Sequence, residues 1–244
     1  MPTKIDYVDE VWNPVTGCTK ISMGCLNCYA EKMARRLHGM GLKKYLNGFK
    51  PTFHEDQGPI HIKRPKNFLV CSMGDIFHED ISTMEINWCF QTMAECRDRH
   101  MFLVLTKRPA RILNYTAMYE EPPLWPNIFI GVSVENHNAA MWRIPQIKSF
   151  YSGLAQYQRW ISCEPLLGRI NIRHQLKYLD FVVAGAETGP GARPCDPDWL
   201  RSLRDQCKEA QVPFWLKQID SKGSQELDGV LHKEMPECLK INPQ

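Results

Sequence analysis

The chain has 244 residues, 43% apolar and 23% charged, which is enough to bury one large core and is the composition of an ordinary folded chain, not a disordered or fibrous one. Its formal net charge of +3 permits a nucleic-acid partner without demanding one. No run approaches the roughly eighteen apolar residues of a membrane span and no charged-then-apolar amino-terminal segment marks export, so a cytoplasmic protein with no membrane partner is expected, its ten cysteines reduced.

In chain order, Tyr7–Trp12 is a short strand candidate stopped by Asn13-Pro14. A loop carrying Cys18, Cys25 and Cys28 comes next. From Tyr29 the spacing of Tyr29, Met33 and Leu37 predicts a helix with one apolar stripe, stopped near Gly39 or Gly41. Residues 48–66, with Pro51, Pro59 and Pro65, read as a long connection. Apolar runs then end in polar or small residues at Phe68–Ser72, Phe102–Thr106, Ile128–Val134, Trp160–Cys163, Phe181–Ala184 and Pro213–Gln218. Runs of that kind are strands buried on both faces. Helices are expected between them at Met84–Arg99, Pro109–Met118, Asn138–Ser149 and Pro197–Ala210. Alternation of strand and helix makes the fold α/β, as an open parallel sheet or a barrel, whose sites form at the carboxyl ends of the strands. One domain is expected, with a carboxy-terminal extension over about 211–244, and no internal repeat.

The cysteine loop, residues 17–30, carries the chemistry. Six residues separate Cys18 from Cys25 and two separate Cys25 from Cys28, with Gly17 and Gly24 placed to let the backbone wrap a centre. Thiolates are soft ligands for zinc, copper(I) or iron–sulfur clusters. Three is an odd number for a closed zinc site, which would need a fourth ligand such as His38 or Cys71; a [4Fe–4S] cluster on three cysteines keeps one iron open. Both readings stand at this point. Cys89, Cys96 and Cys207 fall on expected helices and read as small buried hydrophobes.

The three-cysteine loop before a helix resembles the cluster loop of radical S-adenosylmethionine (SAM) enzymes. It departs from their commonest form in its wider first gap and in Asn27, which stands where that loop has an aromatic, with Tyr29 placed after Cys28 instead. Trp12-Asn13-Pro14-Val15-Thr16-Gly17-Cys18, Cys25-Leu26-Asn27-Cys28-Tyr29-Ala30-Glu31 and Leu227-Asp228-Gly229-Val230 are similar to a family of short phage-associated proteins with this wider loop, a likeness that covers most of the chain. The resemblance implies a partial (β/α)6 TIM-like barrel of the radical SAM type. It also implies a [4Fe–4S] cluster on Cys18, Cys25 and Cys28, SAM at the open iron, and an electron donor such as flavodoxin or ferredoxin. Reductive cleavage of SAM would then yield a 5′-deoxyadenosyl radical. The phage likeness favours DNA or a nucleotide as substrate, in the form of a hypermodified thymidine carrying an amino-acid-derived group; a free metabolite, a peptide, or a zinc-bearing interaction module are the alternatives.

By position, the resemblance assigns the SAM amino group to Ser72-Met73-Gly74-Asp75, with a helix amino-cap as the other role open to Asp75. Ser133, Glu135 and Glu164 are candidates for the SAM ribose and carboxylate, Glu135 being equally suited to cap the helix near Asn138. Tyr29 borders the cofactor. Lys107 and Arg108 would meet a SAM carboxylate or a phosphate, or form a solvated surface pair. Cys163 and Cys195 are candidate hydrogen-atom donors, and His78 a candidate acid–base group. Trp12, Tyr29, Arg35 and Arg36 would suit a flipped base. The glycine-rich loop Gly185–Asp196 is a lid or a plain connection, and its Arg193 is a further phosphate candidate.

Overall fold

The computed structural model describes residues 3, 5–116, 118, 125–148 and 158–240. Seven strands, β1 (Glu10–Trp12), β2 (Lys66–Val70), β3 (His100–Thr106), β4 (Ile128–Ser133), β5 (Gln158–Cys163), β6 (Phe181–Gly185) and β7 (Phe214–Gln218), form one parallel sheet whose spatial order is their chain order. Such singly wound crossovers return on the same side, so the helices cover one face and the sheet curls into a half-barrel. The longer helices are α1 (Tyr29–Gly39), α2 (Thr83–Glu95), α3 (Pro109–Thr116), α4 (His137–Lys148) and α5 (Pro197–Ala210), and single helical turns stand at Gly58–His61 and Arg173–Leu176. Ala117 and Ser149, inside two expected helices, lie outside the described residues, as does the end of the carboxy-terminal extension.

The expected count of six strands is one short. Phe214–Gln218 pairs with β6 and continues the sheet instead of opening an extension. Residues 232–234 then cover the free edge of β7: the Leu216 N–H donates to the His232 carbonyl, and the Glu234 N–H to that of Phe214. Between β7 and this edge segment, Asp228 and Gly229, both at positive φ, turn a hairpin joining Glu226–Leu227 to Val230–Leu231. Helix α2 stops at Glu95, short of the expected Arg99, because His100 already belongs to β3. Its start is fixed by a capping box between Ser82 and Glu85.

Alternation along each strand divides the core. Phe68, Val70, Phe102, Val104, Ile128, Ile130, Ile161, Val182 and Leu216 face the helices. Leu69, Leu103, Phe129, Trp160, Phe181, Val183 and Trp215 face the inside of the curl, where Tyr7 and Leu239 pack against them. Gly131 is required there: a Cβ on it would lie 2.3 Å from Trp160 Nε1, so the indole occupies the space of the missing side chain. That indole N–H donates to the Val104 carbonyl at 3.0 Å. At roughly 1.5–3 kcal/mol per large apolar side chain buried, this layer is a major source of stability and forms a solid floor.

One expected face is turned over. The stripe Tyr29, Met33, Leu37 is not the buried side of α1; Tyr29 and Met33 are exposed, and Ala30 and Ala34 pack against Tyr45 and Met73. Small side chains allow the helix to approach more closely than the larger stripe would.

Candidate functional site

Above the floor, at the carboxyl ends of the strands, lies a cavity of about 230 Å³. The cysteine loop roofs it. Gly74 permits the chain beyond the second strand to approach that beyond the first, and Gly17 permits the loop to approach Lys50: a Cβ on Gly17 would lie 2.2 Å from the Lys50 carbonyl oxygen, and one on Gly74 2.7 Å from that of Val15. The Gly17 N–H donates to the Met73 carbonyl, while Asn13 Oδ1 accepts from the Met73 N–H and the Ser72 hydroxyl. Residues Met23–Cys25 form a 3-10 turn, and Cys28 is the N-cap residue of α1.

Cys18, Cys25 and Cys28 are free, half-buried and all line this cavity. Their surroundings differ. Arg108 Nη1 donates to Cys18 Sγ at 3.3 Å; burial and the Asp75 carboxylate outweigh that pull and push the thiol up to about 11. Burial also works to raise the Cys25 thiol, but the Lys107 charge and hydrogen bonds at Ile21 and Ser22 bring it below its ordinary value. Among the described residues no three His, Cys, Asp or Glu side chains converge as ligands of a single ion do. The thiolates of a [4Fe–4S] cluster bind different irons, so convergence on one point is not what such a cluster asks of them.

The cysteine loop is tied to three strand ends. Near β3, buried Arg108 contacts Asp75 at 3.3 Å, Glu79 at 2.9 Å and Thr19 Oγ1 at 2.8 Å. At β4, Glu135 pairs with Arg143 at 2.6 Å and packs under Gly24, where a Cβ would come within 3.2 Å of its carboxyl carbon. Burial opposes the charge of Glu135, but hydrogen bonds from Ser22 and Arg143 hold its carboxyl below the usual range. Beyond β6, Glu187 accepts from Asn27 Nδ2 at 2.9 Å and from Arg193 Nη2 at 2.5 Å, and Arg193 Nη1 donates to the Met23 carbonyl. The Arg193 contact above all holds Glu187 down at about 2.

The inner wall supplies polar groups. Ser133, Ser162, Glu164, Lys107 and Lys217 line the cavity. Glu164 Oε1 lies 3.0 Å from Lys217 Nζ and Glu164 Oε2 accepts from Ser162 at 3.1 Å. This pair bridges from β5 to β7 over Gly185, where a Cβ would stand 3.0 Å from Glu164. Among the described residues Lys107 has no hydrogen-bond or ion-pair partner for its ammonium, so it offers a free cation.

The structure therefore brings together Cys18, Cys25, Cys28, Tyr29, Ser72, Gly74, Asp75, Lys107, Ser133 and Glu164 at one cavity. It removes others. Met73 packs against α1, and Glu135 braces the roof from outside the cavity instead of capping α4, which Asn136 does through the Ala139 N–H. Cys163 is fully buried on the helix-facing side, because alternation turns Ser162 inward in its place, and Cys195 packs against that same layer. His78 is buried behind the loop: Nδ1 accepts from the Asp80 N–H, so Nε2 donates to Thr19 at 2.9 Å, and burial and Arg108 lower its pKa. Trp12 is buried and donates to the Asp56 carbonyl; Arg35 pairs with Glu31 at 2.5 Å on the surface. Arg108 is neither solvated nor free for phosphate, and Asp75 caps no helix; its Oδ1 accepts from the Phe77 N–H in a tight turn, and Thr106 donates to both oxygens. His38 Nδ1 donates to the Tyr45 carbonyl outside the cavity, while Cys71 lines it.

Lys217, Glu187 and Asn27 are site residues that the sequence reading misses. The polar end of the Pro213–Gln218 run is the available signal for Lys217; nothing local marks the other two, which are joined to each other across 160 positions of chain.

Fold and site together define an α/β protein with a singly wound parallel half-barrel and a cavity roofed by three cysteines. Residues 2–236 match the family described as protein of unknown function (DUF5131), and the chain belongs to that family. No curated protein and no solved structure matches it. Among the described residues, no helix is long and apolar enough to cross a membrane.

Proposed function

We propose that this protein is a radical SAM enzyme that holds a [4Fe–4S] cluster on Cys18, Cys25 and Cys28 with SAM beside it in the cavity. What carries the reading is the convergence of all three cysteines of one loop on one cavity at the carboxyl ends of a parallel half-barrel. The donor set fits: the thiols are free and two of them face a cation. Bound there, the two cofactors would supply one-electron reductive cleavage of SAM to a 5′-deoxyadenosyl radical. The chain's own residues bind and orient. Lys107 offers its free ammonium to a carboxylate, Glu164 and Ser133 accept from hydroxyls or an ammonium, and the apolar floor with the clasped roof excludes water. Asp75 lies at the cavity wall, but its carboxylate is already engaged by Arg108 and Thr106, so its part in holding the SAM amino group is the weakest of these roles.

The proposed substrate is a base in DNA, or its nucleotide precursor, of the hypermodified thymidine kind. Charge distribution favours it. Between Thr19 and Lys50 stand Lys20, Lys32, Arg35, Arg36, Lys43, Lys44 and Lys50 against Glu31 alone, so this segment carries +6 and the rest of the chain −3. A cationic segment beside the cavity roof suits a polyanion.

Anaerobic purification with iron, sulfide and zinc analysis tests the first claim. The expected result is iron and sulfide in the native chain, lost in Cys18→Ala, Cys25→Ala and Cys28→Ala along with 5′-deoxyadenosine formation. Stoichiometric zinc without iron overturns it. For the substrate, binding to modified phage DNA should weaken as salt rises, and incubation with SAM and reductant should change a nucleoside detectable by mass spectrometry. A free metabolite that alone stimulates 5′-deoxyadenosine release would transfer the assignment to that metabolite.

A further inference from the structure

Arg108 is a charged side chain buried to 5% exposure at the cavity wall. Its contacts are directional. Nε donates to both oxygens of Glu79 at 3.0 and 2.9 Å; Nη2 donates to the Thr19 carbonyl at 3.1 Å and the Thr19 hydroxyl at 2.8 Å; Nη1 is shared between Asp75 Oδ2 and Cys18 Sγ, each at 3.3 Å. Every arm of the guanidinium is used, and two of the three reach Cys18 or its neighbour Thr19.

No other cysteine of the loop is held this way. Cys25 has backbone hydrogen bonds at Ile21 and Ser22, the Ser22 hydroxyl at 3.7 Å and the charge of Lys107, which has no fixed partner among the described residues, but no guanidinium. Arg108 is fixed from behind. Its backbone N–H donates to Thr106 Oγ1 at 2.8 Å, the same hydroxyl that donates to Asp75. A rigid, planar, permanently charged donor aimed at one sulfur is a stronger and better-directed partner than a hydroxyl or an ammonium acting through its charge alone.

We infer that Arg108 is the positioning residue for Cys18: it holds that sulfur in place as a cluster ligand and, by donating a charged hydrogen bond to it, raises the reduction potential of the cluster. The inference rests on the radical SAM proposal. Its physical basis is that a donor to a ligand sulfur stabilises the more negative, reduced state of an iron–sulfur centre more than the oxidised one. Asp75 and Glu79 offset the net charge of Arg108, so the effect comes from the short contact and not from a long-range field.

The test compares reconstituted native protein with Arg108→Gln and Arg108→Lys by iron and sulfide content and by a redox titration followed by electron paramagnetic resonance. Arg108→Gln is expected to keep a cluster and to be at least tenfold harder to reduce, a fall of about 59 mV for a one-electron couple. Arg108→Lys keeps the charge and the Asp75 pair but loses the planar fork, so its potential should fall in the same direction by less. If Arg108→Gln fails to fold, Arg108→Lys decides. A full cluster at the native potential in the variant that folds overturns the inference and leaves the cluster reading intact. A native protein that takes up no iron overturns the cluster reading itself, a different and separately recognisable result. A role confined to folding would lower yield and leave the potential unmoved.

Discussion

The floor and the roof of the cavity are built on opposite terms. The floor is a layer of Leu69, Leu103, Phe129, Trp160 and Phe181, supplied by adjacent strands and held by apolar burial. The roof is a loop with exposed Ile21, Met23 and Leu26, and it stays in place through buried or half-buried charges on Arg108, Glu135, Glu187 and Arg193. A floor of this kind resists deformation and can be altered only at the expense of the whole fold. The roof can be loosened one contact at a time, so a site built between them has a fixed base and an adjustable cover.

Trp160→Ala probes the floor and should have the largest effect on stability. It removes the indole over Gly131 and its hydrogen bond to Val104, and should cost about 3–5 kcal/mol in chemical denaturation. Loss of less than about 1 kcal/mol would mean that the inner layer is not the stabilising base described.

Next comes Asp75→Ala, at the junction of the two. It leaves the Arg108 guanidinium buried with only Glu79, itself exposed, as a carboxylate partner, at about 3 kcal/mol. A variant as stable as the native chain would show that Asp75 is not bound up in the roof.

Glu187→Gln should loosen the roof alone, by about 1–3 kcal/mol, with the change in hydrogen exchange confined to the cysteine loop and residues 187–193. The sign of its pH dependence is set by a folded-state value of about 2 against an ordinary 4.5. The contribution is complete above about pH 4.5 and is lost as pH falls toward 2, so the native roof should open in acid and the difference from Glu187→Gln should vanish there. An acid response identical in both proteins would assign the opening to other carboxylates.

The smallest effect belongs to Arg35→Ala. Its pair with Glu31 is on the surface, and Glu31 keeps Lys20 at 3.0 Å, so stability should change by less than about 0.5 kcal/mol. If DNA is the substrate, the same variant should still reduce the salt dependence of DNA binding, which separates the cation's role toward a partner from its role in the fold.

Much of the floor is legible from local pattern. Strand runs ending in polar or small residues identify six segments of the sheet to within a few residues, and the shortest, β1, lies inside the strand expected at Tyr7–Trp12, since period-two alternation and apolar burial are properties of neighbouring positions. Cys89, Cys96 and Cys207 read as buried hydrophobes and are buried. Even so, periodicity misassigns the face of α1, because it shows where large apolar side chains align and not that alanines give a closer fit to Tyr45 and Met73.

What the sequence by itself determined is the α/β alternation, the three-cysteine loop running into a helix, and the polar residues at strand ends that became the cavity wall. Only the tertiary structure decided which of those residues face the cavity. One residue of register separates Ser162, inside, from Cys163, among the helices, and the curl of the sheet carries Lys217 of the seventh strand to Glu164 of the fifth. The roof's ties to Glu187, Arg193 and Arg108 join positions 160, 170 and 90 residues apart. Charge pairs of this kind depend on where the chain places two groups in space, and that distance has no counterpart in the order of residues along it.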